Sequence, residues 1–152
     1  MALEHRISEL DTYLFAKGTH YEIYEKMGAH LAEEDGKAGT YFSVWAPNAR
    51  CVSVVGDFNN WDRSAHPMQP VQQSGIWDIF VPGVKAGDLY KFAVETSQGY
   101  TVLKADPYGN QSQLRPDNAS VVADIRHFDW TDQAWRKEHQ EKKTESPMAI
   151  YE

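Results

Sequence analysis

The stretch Gly56-Asp57-Phe58-Asn59-Asn60-Trp61-Asp62 holds the side chains best suited to recognition chemistry. It sets one indole, two amides and two carboxylates among turn-forming residues just past an alternating apolar run, which predicts a surface loop. Sugar rings offer a flat patch of C–H groups that packs on an indole face, while their hydroxyls need fixed donors and acceptors at the rim. Trp61 beside Asn60 has that composition. The same indole can instead fold back and cap a core, and composition leaves both readings open. Burying one indole face contributes a few kcal/mol at most, at ~25 cal/mol per Å². Weak, repeated binding along a polysaccharide is the natural expectation.

Bond-breaking chemistry leaves no comparable trace. Glycosidic cleavage needs two carboxylates ~5–9.5 Å apart. Asp57, Asp62 and Asp106 sit in Gly-Asp, Trp-Asp and Asp-Pro contexts that predict local backbone hydrogen bonding instead. The six histidines (5, 20, 30, 66, 127 and 139) lack the spacing of a metal site. The single Cys51 excludes an internal disulfide or a multi-cysteine zinc site. Neither a metal nor a cofactor is expected, and no nucleophile or general acid is nominated. Fifteen basic against twenty-two acidic side chains give a net charge of −7, which argues against nucleic acid or an anionic membrane as partner. No apolar run approaches the ~18 residues of a membrane span. The opening residues lack a secretory signal, so a cytoplasmic location is expected.

The elements that must position the loop follow from periodicity. Residues 3–27 read as helical, with Leu10, Leu14 and Phe15 at helical spacing and Gly18 as a stop. Thr19 with Glu22 forms a capping-box pattern for a second short helix through Lys26. Residues 33–39 read as a hairpin tip. From Thr40 the period becomes two: Phe42 and Val44 share one face of 40–46, and Tyr41, Ser43 and Trp45 the other. Residues 49–55 follow with Val52 and Val54 aligned, then 75–81. Residues 89–95 place Tyr90, Phe92 and Val94 inward, and Lys91, Ala93 and Glu95 outward. Weaker strands are expected at 100–104 and 120–124. Short strands punctuated by Gly and Pro predict a mainly β protein, an antiparallel β-sandwich. A charged helix is expected over 131–143. Residues 147–152 read as the start of a buried strand, and stopping inside an apolar run predicts a piece of a longer chain.

Several blocks together carry a family resemblance. They are Phe42-Ser43-Val44-Trp45-Ala46-Pro47-Asn48-Ala49, Val52-Ser53-Val54-Val55-Gly56-Asp57-Phe58-Asn59-Asn60-Trp61, Ser74-Gly75-Ile76-Trp77, Leu89-Tyr90-Lys91, Lys104-Ala105-Asp106-Pro107-Tyr108, Arg115-Pro116 and 146–152. The ordered set resembles the N-terminal module of bacterial 1,4-α-glucan (glycogen) branching enzymes, a family 48 carbohydrate-binding module with an immunoglobulin-like sandwich. The resemblance implies a helical N-terminal linker over 1–27, the sandwich over 28–128, and over 129–152 a helical linker running into the first residues of a catalytic barrel. It implies α-glucan and that barrel as partners, with the catalytic carboxylates outside this chain. Glycogen-binding members, such as the β subunit of the AMP-activated kinase, use a loop Trp, a strand Lys, a second aromatic and an Asn near the last strand. By resemblance these are Trp61, Lys91, Tyr100 and Asn118, with Asn60 beside the Trp. Tyr100 stands where the kinase subunit has Trp, which shortens the platform. The bland alternatives are solvated polarity for Lys91 and Asn118, and cross-strand packing for Tyr100. For the whole module the alternative is a spacer packed on the barrel with little sugar affinity.

Overall fold

The chain is seen here as a computed structural model that describes residues 6–126, 128–141, 147 and 149–152. His5, His127, Ser146 and Met148, and positions 3–5 and 142–143 of the expected helical stretches, lie outside the described residues. A helix α1 (Glu9–Ala16) precedes strands β1 (Gly28–Glu34), β2 (Lys37–Trp45), β3 (Ala49–Gly56), β4 (Gln69–Pro70), β5 (Ile76–Pro82), β6 (Leu89–Thr96), β7 (Thr101–Lys104), β8 (Gln111–Ser112) and β9 (Ser120–Val121), and a helix α2 (Gln133–Glu141) follows them. One antiparallel sheet has the order β1-β2-β5-β4. The other runs β3-β6-β9-β8, with β7 beside β6.

The two sheets meet over one apolar core. Phe42 and Val44 from β2 and Val81 from β5 face Val52 and Val54 of β3 and Tyr90 and Phe92 of β6, closed by Met68, Val84 and Val122. The period-2 pattern of β2, β3 and β6 therefore faces inward as expected. Phe42 packs edge-on against Tyr90, their ring centroids 5.0 Å apart. Two buried carboxylates each take a tyrosine hydroxyl: Asp78 accepts from Tyr41, and Asp106 from Tyr90 at 2.6 Å. Burial, reinforced by the neighbouring carboxylate, pushes both phenols well above their ordinary range. They remain donors at any physiological pH.

β2 is buried on both faces, and residues 6–27 are the reason. Ile7, Ile23 and Met27 form a second apolar cluster with Val71 and Ile76 on the outer side of the first sheet. The polar groups there find partners in the same segment. The Tyr41 hydroxyl accepts from the Arg6 amide at 3.0 Å, and Ser43 donates to the Lys26 carbonyl at 2.7 Å. Asp11 ties the segment together from a buried position. Its carboxylate accepts from Ser8 Oγ at 2.7 Å, contacts His20 Nε2 at 2.7 Å and accepts from Lys26 Nζ at 2.5 Å.

Four local expectations are corrected. The capping box lies at Ser8 and Asp11, where side chain and backbone bond reciprocally. Thr19 and Glu22 do not form one: only a 3₁₀ turn at Ile23–Glu25 follows, and Glu22 makes no side-chain cap. Leu10 is exposed while Asp11 and Thr12 are buried, because the helix turns its polar face to Lys26 and His20. β1 pairs residue by residue with β2 through an Asp35-Gly36 turn whose φ angles of 50° and 73° suit a tight hairpin, so this sheet starts well before Thr40. Residues 149–152 are irregular, with Ile150 and Tyr151 exposed. A strand needs a neighbour for its N–H and C=O groups, and neither sheet extends to them.

Burial works against the Asp11 charge, but the bonds from Lys26, Ser8 and His20 outweigh it and hold the carboxyl far below its usual range. Its folded pKa lies under the unfolded one, so its contribution is complete above about pH 4 and declines as pH falls below that. Asp11→Asn is expected to lower stability by roughly 1–2 kcal/mol at pH 7, Lys26 being partly in water. The difference from the parent chain should shrink below about pH 4, measured by urea denaturation across pH.

Candidate functional site

The loop carrying Trp61 leaves β3 at a point that admits only glycine. A Cβ on Gly56 would lie 2.1 Å from the Leu89 carbonyl oxygen and 2.5 Å from the Phe58 ring. Asn59, buried beneath the loop, supports it. Its Oδ1 accepts from the Gly56 amide at 3.0 Å, and its Nδ2 donates to the Val54 carbonyl at 3.0 Å and to His66 Nδ1 at 2.9 Å. Phe58 drops into the core against Phe42, with centroids 6.1 Å apart. With Asn59 and Phe58 turned inward, the next two residues are thrown outward. Asn60 and Trp61 take φ angles of 53° and 59° in succession. A bulky residue in that left-handed region is strained and persists only where its surroundings over-determine it.

Trp61 stands 38% exposed, and its Nε1 donates to Asp57 Oδ1 at 2.8 Å. The indole is thus held by its edge and is not swallowed by the core. Its amide bonds to the Gly56 carbonyl at 3.0 Å, one residue beyond the Val55–Lys91 pair of the β3–β6 ladder. Lys91 stands on the outer face and donates from Nζ to Asn118 Oδ1 at 2.5 Å. That bond leaves two ammonium protons and the Asn118 amide N–H₂ for another acceptor.

The expected site residues therefore divide. Lys91 and Asn118 touch, Trp61 and the exposed Asn60 leave β3 beside them, and Tyr100 lies apart. Tyr100 is exposed and borders a depression of about 260 Å³ lined by residues 46–49, Val94 and 96–98. It sits past Thr96, five positions along β6 from Lys91, roughly 17 Å at ~3.3 Å per residue.

Three contributors escape a sequence reading. Asp57 fixes the indole edge, Asn59 supports the loop from below, and Arg63 crosses to Thr101 Oγ1 at 2.8 Å. Only the Asn59–Gly56 pairing had a local signal, an Asn three residues after a strand-terminal Gly. Asp62 behaves as a turn acid: bonds from the Ser64 hydroxyl and amide hold its carboxyl below the usual range. Among the described residues no group of three His, Cys, Asp or Glu is placed to hold a metal ion. No helix among them is long and apolar enough to cross a membrane.

Residues 26–109 match the sequence profile of carbohydrate-binding module 48 (isoamylase N-terminal domain). The chain belongs to this family. The module is 50% identical over 145 residues to the 1,4-alpha-glucan branching enzyme GlgB of Protochlamydia amoebophila, covering 95% of this chain and 20% of that protein. It is 52% identical over 147 residues to GlgB of Butyrivibrio fibrisolvens, covering 96% and 23% respectively. The chain spans about a fifth of the length of these relatives. Among solved structures, ligand-free PulA of Klebsiella pneumoniae aligns at a TM-score of 0.55 and 27% identity, over 77% of this chain and 11% of that one. A maltotriose complex of the same protein aligns at 0.54 and 27% identity, over 77% and 12%.

The support under Trp61 depends on pH. Asn59 Nδ2 needs an unprotonated Nδ1 on His66, and burial pushes the His66 pKa below its ordinary value. The tie is complete above about pH 6.5 and is lost as pH falls through the lowered pKa. The Asn59 side-chain amide and Trp61 indole N–H resonances should shift together between about pH 7 and 5 in NMR spectra, and His66→Phe should abolish that transition.

Proposed function

We propose that this module binds α-1,4-linked glucan as an accessory part of a 1,4-α-glucan branching enzyme. The observation that carries this reading is Trp61: a partly exposed indole in strained left-handed backbone, its N–H already engaged by Asp57, in a loop that leaves β3 one ladder position from the Lys91–Asn118 pair. An indole so held presents its flat face to sugar C–H groups, and Lys91, Asn118 and Asn60 supply hydroxyl partners at its rim. The branching-enzyme relatives and the maltotriose complex of a structural neighbour support the choice of ligand. Tyr100 belongs to the same ligand only if one chain is long enough to reach it from Lys91.

Binding of this kind raises the local concentration of chain ends near a catalytic domain. We place the bond-making and bond-breaking carboxylates in that domain. Ile125, Phe128, Trp130 and Trp135 are exposed, with Phe128 and Trp130 packed edge-on at 4.9 Å and Arg136 over the Trp130 ring at 5.6 Å. This aromatic ridge supports the second reading, a spacer packed on the catalytic barrel. The two readings differ in sugar affinity: the first requires it at Trp61, and the second gives the module little of its own.

Trp61→Ala is expected to weaken maltoheptaose binding at least tenfold, about 1.4 kcal/mol, measured by isothermal titration. Lys91→Met and Asn118→Ala should each weaken it by roughly three- to tenfold. Equal affinity in Trp61→Ala and the parent chain overturns the site. Negligible sugar affinity in the parent, with self-association in sedimentation that Trp130→Ser relieves, leaves the spacer reading alone.

A further inference from the structure

The outer face of the second sheet carries a depression of about 250 Å³, lined by Cys51, Ser53, Arg63, Ser64, Ala93, Glu95 and Thr101. We infer that it is a central sugar subsite, with Arg63 and Glu95 as its selective groups, so that the module grips a linear glucan along its length. This rests on the reading that Trp61 binds glucan.

The floor is fixed by the strand register. Ser53, Ala93 and Leu103 form one row across β3, β6 and β7, and Cys51, Glu95 and Thr101 the next. Ala93 and Ser53 are nearly fully buried, so the floor is small and flat. Lys91, Ala93 and Glu95 follow one another on one face of β6, spanning roughly 13 Å at ~3.3 Å per residue. The depression thus begins one outward position beyond Lys91 and ends at Thr101.

Its walls carry paired donors and acceptors that are positioned and not spent. Arg63 reaches over from the Trp61 loop and uses one N–H on Thr101 Oγ1 at 2.8 Å, leaving the rest of its donor fork. Glu95 opposes it, accepting from Cys51 Sγ at 3.3 Å and lying 3.8 Å from Arg50 Nη1. A carboxylate and a guanidinium over a shallow floor of Ala93 and Ser53 match a ring with hydroxyls at its edge and C–H groups on its face. The volume falls below the roughly 300–1,000 Å³ of drug-sized ligand pockets, as suits one ring of a longer chain.

The test compares two ligands on the full chain. The parent is expected to bind maltoheptaose about tenfold more tightly than maltotriose, because only the longer chain reaches both Trp61 and the depression. In Arg63→Ala and, independently, Glu95→Gln, that ratio should fall towards unity by NMR titration, with circular dichroism confirming the fold. Proportional loss of both affinities with the ratio preserved overturns the subsite and makes Arg63 a strap for the loop. An equal ratio in the parent and both variants also overturns it. Trp61→Ala is the separate control: unchanged maltotriose affinity there defeats the underlying site, whatever the ratio does.

Discussion

The register of β6 is the constraint from which core and outer face both follow. Because side chains alternate along a strand, seating Tyr90, Phe92 and Val94 against the core forces Lys91, Ala93 and Glu95 to the other side. A slip by one residue would bury a lysine and a glutamate and expose three apolar side chains. Antiparallel pairing with β3 over seven residue pairs, from Ala49–Thr96 to Gly56–Tyr90, holds that register and delivers the chain to Gly56 beside Lys91. The Trp61 loop begins where that ladder ends.

The other sheet solves a different problem. Its central strand carries hydroxyls at Tyr41 and Ser43 on the side away from the core, and leaving them unpaired while covering them would cost about 1–3 kcal/mol each. Residues 6–27 cover that side and bond both groups, so apolar burial by Ile7, Ile23 and Met27 does not strand polar atoms. Asp11 closes the arrangement by bonding Ser8, His20 and Lys26 from one carboxylate. The two Tyr–Asp pairs, one per sheet, show the same logic: a hydroxyl taken into the interior arrives with its acceptor.

What was legible in the sequence was what depends on strand period and turn composition. β2, β3, β5 and β6 alternate strongly because each has one face on the shared core, and the Pro and Gly punctuation marks their ends. β1 escaped because Gly-Ala-His-Leu-Ala-Glu-Glu is an edge strand with little β-branched content, stabilised by its ladder to β2 more than by its own residues. Thr19–Glu22 matched a capping pattern, yet the real box formed at Ser8–Asp11, where distant Lys26 and His20 reward burying the acid. In the loop, Trp61 was singled out by its polar neighbours, while its exposure was left open until the structure showed the indole 38% exposed. Asp57 and Arg63 were not, since their roles rest on bonds to the indole and to Thr101 that exist only after folding.

The bond between Trp61 and Asp57 has a bearing on directionality. On the proposed site, an indole whose single donor is already engaged would meet a sugar with a plane that offers no hydrogen bond, and such a plane reads a chain equally well from either end. At that site, any sense of which terminus points forward must come from asymmetric partners off to the side, and the Lys91–Asn118 couple is one such pair. In that proposal the flat contact gives attraction, and the amine and amide give orientation.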